Sequence, residues 1–143
     1  MSNSLLAPGA ILVLWTLVML IWTGVTRFRA LAKAGIDLKE APPGGRGVNL
    51  ETILPPETNW KSHNYTHLLE QPTIFYAVIV FLQLSGGSTD LTRGLAWAYV
   101  VLRIVHSLWQ STVNRIPVRF AIFSLATLCL LALSLLAVIA TLG

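Results

Sequence analysis

The chain has 143 residues, 55% of them hydrophobic and 11% charged, with a formal net charge of +4 and a mean hydropathy of +0.69. Soluble domains carry roughly 25% charged residues, so this composition excludes an ordinary soluble domain and indicates an integral membrane protein. The basic residues sit beside apolar segments, which argues against nucleic acid as a partner. One cysteine, Cys129, excludes an internal disulfide and a cysteine-based metal cluster within one chain. It lies in an apolar segment and reads as a packing residue.

Residues 1–6 read as a short polar tail. No positive residue precedes the first apolar segment, which argues against a removable signal peptide. Ala7 to Thr26 carries no charge and matches the ~20 residues a helix needs to cross a bilayer. Pro8 suits its first turn, and Arg27 and Arg29 end it at the interface. The following residues, ALAKAGIDLKE, can continue the helix beyond lipid. Pro42, Pro43, Gly44, Gly45 and Gly47 then forbid one. Leu50, Ile53 and Leu54 suggest a loop resting on the bilayer surface, with a mobile solvated loop as the other reading.

Ile74 to Leu84 is too short to cross lipid alone. The spacing predicts that its helix starts back at Thr58 or Asn59 as N-cap and runs to Ser85, with Pro72 either kinking it or leaving a free carbonyl near the site. Gly86-Gly87-Ser88 closes it. Further helices are expected over 93–113 and 117–142, with a break at Asn114 to Pro117. The expected architecture is all-α: one integral membrane domain over 1–143, a four-helix bundle with spans near 7–29, 58–85, 93–113 and 117–142.

Arg27, Arg29, Lys33, Lys39, Arg46 and Lys61 all fall in the first connection or at its edges. Arg115 and Arg119 flank the third, and the second has none before Arg93. The positive-inside rule therefore places the first and third connections in the cytoplasm and both termini outside.

The third apolar segment is unusual. Tyr99, Arg103, His106, Gln110 and Asn114 are spaced by three or four residues, which puts them on one helical face. A buried arginine costs about 2.5–3.5 kcal/mol on insertion scales, so this stripe must face partners, a cavity or a ligand. Glu70 and Arg103 are the costliest groups, and pairing them is the simplest remedy. Their role is either to fix helix register or to contact a ligand. His63, His67 and Glu70 also share a face, and two histidines one turn apart with a carboxylate can bind zinc or iron. A membrane metal enzyme is thus one alternative, although no second ligand cluster supports it. Arg27, Arg115 and Arg119 either anchor the topology or grip a small anionic ligand. A thiolate near Arg119 would be stabilised by the cation. Apolar faces between helices could take a lipophilic second substrate.

The chain resembles the membrane-associated proteins in eicosanoid and glutathione metabolism, the MAPEG family. The resemblance rests on TGVTRFR ending the first helix, on the His/Asn-rich stretch ending in Glu70, and on RIVHSLWQ followed by NRIPVR. It covers nearly the whole chain and looks closer to the less characterised prokaryotic members; if the chain is prokaryotic, the membrane is the bacterial inner one. It implies a homotrimer of four-helix subunits that binds glutathione near the cytoplasmic face. The chemistry implied is conjugation to lipophilic electrophiles or reduction of lipid hydroperoxides. By position, Arg27, Glu70, His106 and Arg119 match glutathione-contacting residues, with Arg119 as the catalytic arginine that stabilises the thiolate. His63, His67 and Gln110, on the same polar faces, are read as further substrate-binding residues, and Arg103 and Asn64 as structural ones. The departures from the family are several. His63 and His67 stand where many members have arginine and asparagine. Gln110 and Phe123 stand where eicosanoid-forming members have tyrosines, which argues against eicosanoid synthesis. A non-catalytic, lipid-binding member of the family is the other reading.

Overall fold

The computed structural model describes residues 4–143. The described residues form helices α1 (Leu6–Ala34), α2 (Pro56–Leu68), α3 (Gln71–Leu84), α4 (Asp90–Thr112) and α5 (Ile116–Leu142), with 3-10 turns at Leu38–Glu40 and Gly47–Thr52. They contain no strand. Of the polar tail expected over 1–6, residues 1–3 lie outside the described residues. Leu5 is no tail: it is fully buried, and its N–H donates to Gln83 Oε1 at 2.8 Å. Gln83, a polar residue in an apolar run, thus caps the start of α1.

Among the described residues, three stretches are long and apolar enough to cross a membrane: Leu6–Ala34, Pro56–Leu84 taken through its break, and Ile116–Leu142. Helix α1 continues past Arg29 to Ala34. Gly35 ends it in the left-handed conformation, φ 69°, with its N–H bonded back to the last turn. The inward residues of α1 are Leu12, Thr16, Met19 and Thr23, a narrow stripe at three- and four-residue spacing. Leu14, Leu17, Ile21 and Val25, on the other faces, are exposed aliphatic surface, as lipid contact requires.

The expected second helix is corrected in two ways. It starts at Pro56 behind Pro55, not at Thr58 or Asn59, because proline suits the first helical position and needs no N–H there. Asn59 turns inward instead, and its Nδ2 donates to the carbonyls of Glu51 and Leu54 at 3.4 and 3.5 Å. Leu54 is also buried against the protein. Second, the helix does not bend at Pro72 but stops and restarts. The break falls at Leu69 and Glu70, with Glu70 at φ −87° and ψ −95°. Pro72 disfavours helical geometry at the residue before it and cannot donate to Leu68. A break two residues earlier makes Pro72 part of a first turn, where its missing N–H costs nothing.

Helix α4 begins three residues before the expected Arg93, because Thr89 caps it and exchanges hydrogen bonds with Thr92. Its buried face is Thr92, Ala96, Tyr99, Val100, Arg103, His106, Ser107 and Gln110, while Trp97, Val101, Val105 and Leu108 face outward. Polar groups inside and apolar groups outside is the reverse of a soluble helix. The helices reverse direction so that the α1–α2 loop and the α4–α5 turn share one end. The core at mid-depth includes Phe75 stacked on Tyr99, 4.4 Å between ring centroids.

Candidate functional site

Two hollows open near the loop end. The smaller, about 200 Å³, is lined by His67, His106, Ile116, Arg119, Phe120 and Phe123. Helix α2 supplies His67, α4 supplies His106, and the start of α5 supplies the rest. The two imidazoles lie 5.1 Å apart between ring centroids. Phe123 stacks on His67 at 5.2 Å.

The turn into α5 aims Arg119. Asn114 leaves the helical stripe expected for it and takes the left-handed conformation, φ 54°, which asparagine tolerates better than most residues. Its N–H and that of Val113 close on the carbonyl of Trp109. Trp109 Nε1 donates to the carbonyl of Arg115 at 3.2 Å. So held, Asn114 Oδ1 accepts from Arg119 Nη1 at 2.6 Å.

Arg103 lies fully buried beneath this hollow. The expected pair with Glu70 does not form. Glu70 is exposed, and among the described residues no ion pair joins the two. The end of α2 explains this: the break at Leu69 and Glu70 takes the carboxylate out of helical register and frees a carbonyl. Arg103 Nη2 donates to the carbonyl of His67 at 3.0 Å, and its guanidinium lies 5.6 Å from the Phe123 ring. Asn64, also fully buried, donates to Ser107 Oγ at 2.5 Å and ties α2 to α4.

Hydrogen-bonding capacity is left over here. Asn64 Oδ1, His67 Nδ1, Arg103 Nε and Nη1, His106 Nδ1, Gln110 Oε1 and Ser111 Oγ are buried with no partner in the chain. Each such group costs about 1–3 kcal/mol. They concentrate between α2 and α4, beside the smaller hollow.

The larger hollow, about 600 Å³, has Arg27 and His63 on its wall, with Arg46, Gly47, Glu51 and Thr66 among the others. Arg27 Nη2 donates to the carbonyl of Gly47 at 3.2 Å, and His63 Nε2 meets Glu51 Oε1 at 2.9 Å. The expected set is therefore divided. Within one chain Arg119, His106 and His67 share a hollow, and Gln110 is buried on the same face of α4. Arg27 and His63 belong to the other hollow, and Glu70 lines neither. The His63, His67 and Glu70 spacing does not converge on a metal either: His63 turns to Glu51, His67 to His106, and Glu70 outward. Among the described residues, no group of three His, Cys, Asp or Glu side chains is placed to hold one.

Gln71 escaped the sequence reading. Its amide donates to Thr127 Oγ1 at 2.9 Å and accepts from Tyr99 O–H at 3.2 Å, joining α3, α4 and α5. The available signal was its polarity at membrane depth beside Pro72.

Chemically, the smaller hollow sets one fixed cation and two imidazoles beside an apolar rim of Ile116, Phe120 and Phe123. It suits an anionic group next to a lipophilic one. No curated protein and no solved structure matches the chain. The model of the MAPEG family matches residues 5–139. With that match spanning nearly the whole sequence, the chain belongs to the MAPEG family, membrane proteins of eicosanoid and glutathione metabolism.

Proposed function

We propose that this protein is a membrane-bound, glutathione-dependent transferase or peroxidase acting on lipophilic electrophiles or lipid hydroperoxides. The observation that carries the reading is the grouping of Arg119, His106 and His67 around one hollow with an apolar rim. Arg119 is the catalytic residue: its cation stabilises the glutathione thiolate. His106, His67 and Gln110 hold polar groups of the tripeptide. Ile116 and Phe120, each 67% exposed, offer the lipophilic substrate an approach from the bilayer.

The working unit is a homotrimer of four-span subunits, with α2 and α3 forming one broken span. A hollow of about 200 Å³ is small for a tripeptide, and a neighbouring subunit would complete its wall. That neighbour also gives Glu70, exposed on its own subunit, a place in the binding set. By the positive-inside rule the loop end is cytoplasmic, both termini lie outside, and soluble glutathione meets the site from the cytoplasm. In a bacterium the membrane is the inner one.

The test is turnover of a chlorodinitrobenzene by purified protein with glutathione. Arg119→Ala is expected to lower it about 10²–10³-fold, as for other groups that stabilise a developing anion. Unchanged turnover removes Arg119 from the chemistry. A second reading, a lipid-binding member without catalysis, is favoured by Gln110 and Phe123, which offer no phenol to the hollow. It predicts copurifying lipid and no heat of glutathione binding by calorimetry.

A further inference from the structure

The smaller hollow holds more than the cation that steadies a thiolate. Glutathione arrives at neutral pH mostly as a thiol, so its proton must be taken before Arg119 has an anion to hold. Arg119 cannot take it, because a guanidinium stays protonated and has no acceptor. The two imidazoles of the hollow, those of His67 and His106, can.

Burial separates the two. His106 is 1% exposed, too enclosed to hand a proton on to water. His67 is half-buried on the wall of the hollow and can meet both a sulfur and solvent. It is also held in place. Phe123 stacks on its ring, 28° between the planes, and Arg103 Nη2 donates to its carbonyl at 3.0 Å.

The nitrogens of His67 have different surroundings. Nδ1 is buried with no partner in the chain, and so is Oε1 of Gln110, whose side chain stands beside it. A proton on Nδ1, directed at Gln110 Oε1, answers both deficits. That tautomer leaves the lone pair on Nε2, the nitrogen that is not shut away. The charged and titratable groups facing His67 are Arg103 and His106 from α4, Arg119 from α5, and Glu70 beyond the break. Between two arginines a third cation is repelled unless an anion forms beside it. Proton transfer from sulfur makes both at once.

We propose that His67 is the general base of the thiol step, its Nε2 taking the proton of glutathione. The S–H bond breaks, an N–H bond forms, and the electron pair stays on sulfur beside Arg119. With a chloroarene, the thiolate attacks the carbon that bears chlorine. A C–S bond forms, chloride leaves with the electrons of the C–Cl bond, and the imidazolium returns its proton to water. The proposal rests on the thiol reading above and specifies that the group His67 holds is the thiol itself.

The experiment adds glutathione to the purified full chain in detergent, weakly buffered at neutral pH. Thiolate is read from its ultraviolet absorbance and released protons from an indicator dye. Because His67 keeps the proton, thiolate is expected with little proton release. His67→Asn still offers hydrogen bonds but no base. It should release about one proton for each thiolate that still forms, and lower chlorodinitrobenzene turnover about 10²-fold. The loss should shrink as pH rises, since hydroxide in solution then removes the proton. Release of about one proton per thiolate by the unaltered protein overturns the proposal, and that measurement stands even if His67→Asn does not fold. Little release from folded His67→Asn, or a pH profile parallel to the parent's, overturns it as well. Each of these leaves the thiol reading intact. An unaltered protein that neither binds nor turns over glutathione removes both.

Discussion

Asn114, in the left-handed conformation between α4 and α5, accepts a hydrogen bond from Arg119 at 2.6 Å. One residue thus makes the turn and aims the arginine. The two tasks are separable. Asn114→Ala should destabilise the protein by about 1–2 kcal/mol, because alanine resists that backbone conformation. Asn114→Gly should stay within about 0.5 kcal/mol, since glycine adopts it freely. Both remove the acceptor, so both should lower glutathione-dependent turnover to a similar degree. Thermal unfolding in detergent alongside turnover checks this. Full activity in the glycine variant would show that the side chain does not position Arg119.

Asn64 and Ser107 form a buried side-chain link between α2 and α4. A double-mutant cycle with Asn64→Ala and Ser107→Ala should give a coupling of about 0.5–1.5 kcal/mol, the usual worth of a buried neutral hydrogen bond. The measurement is denaturant unfolding of the four proteins in the same detergent. Strict additivity would mean that the two groups do not bond.

Phe123 touches His67 on one side and the Arg103 guanidinium on the other. Phe123→Leu keeps an apolar side chain but removes the ring, and it should cost about 0.5–1.5 kcal/mol. Phe120, one turn away and 67% exposed, is the control. Phe120→Leu should change stability by less than about 0.5 kcal/mol. Equal effects of the two substitutions would contradict the stack.

Gly9 lets α1 approach α3. A Cβ there would stand 2.5 Å from Ile79 Cδ1. Gly9→Ala should cost less than about 1 kcal/mol, because the end of the Ile79 side chain can turn aside and alanine favours the helix. Ile79→Val deletes that methyl and should cost about 0.5–1.5 kcal/mol alone. The double variant should be more stable than the sum of the two predicts, because the methyl that clashes is gone. A sum that holds would place the two helices further apart.

Much of the architecture was legible in the residues. The uncharged run from Ala7 to Thr26, the apolar stretch after Pro117 and the buried face of Tyr99, Arg103, His106 and Gln110 all follow from spacing and desolvation cost. The same cost singled out Arg103. It named the wrong partner, because it treats the chain through Pro72 as one helix, and a continuous helix would have kept Glu70 in register with His63 and His67.

Helix type and helix face are local properties, set within a few residues by side-chain character and by proline. Partners are not local. Pro72 announced a free carbonyl, but not that Arg103 would take the one of His67, and Arg27 found Gly47 across a loop of no regular pattern. Whether the basic residues stood in one hollow or two depended on how that loop folds back on α1 and α2. Contacts between distant segments are settled by packing and by competition for each polar atom, and no spacing along the chain records the result.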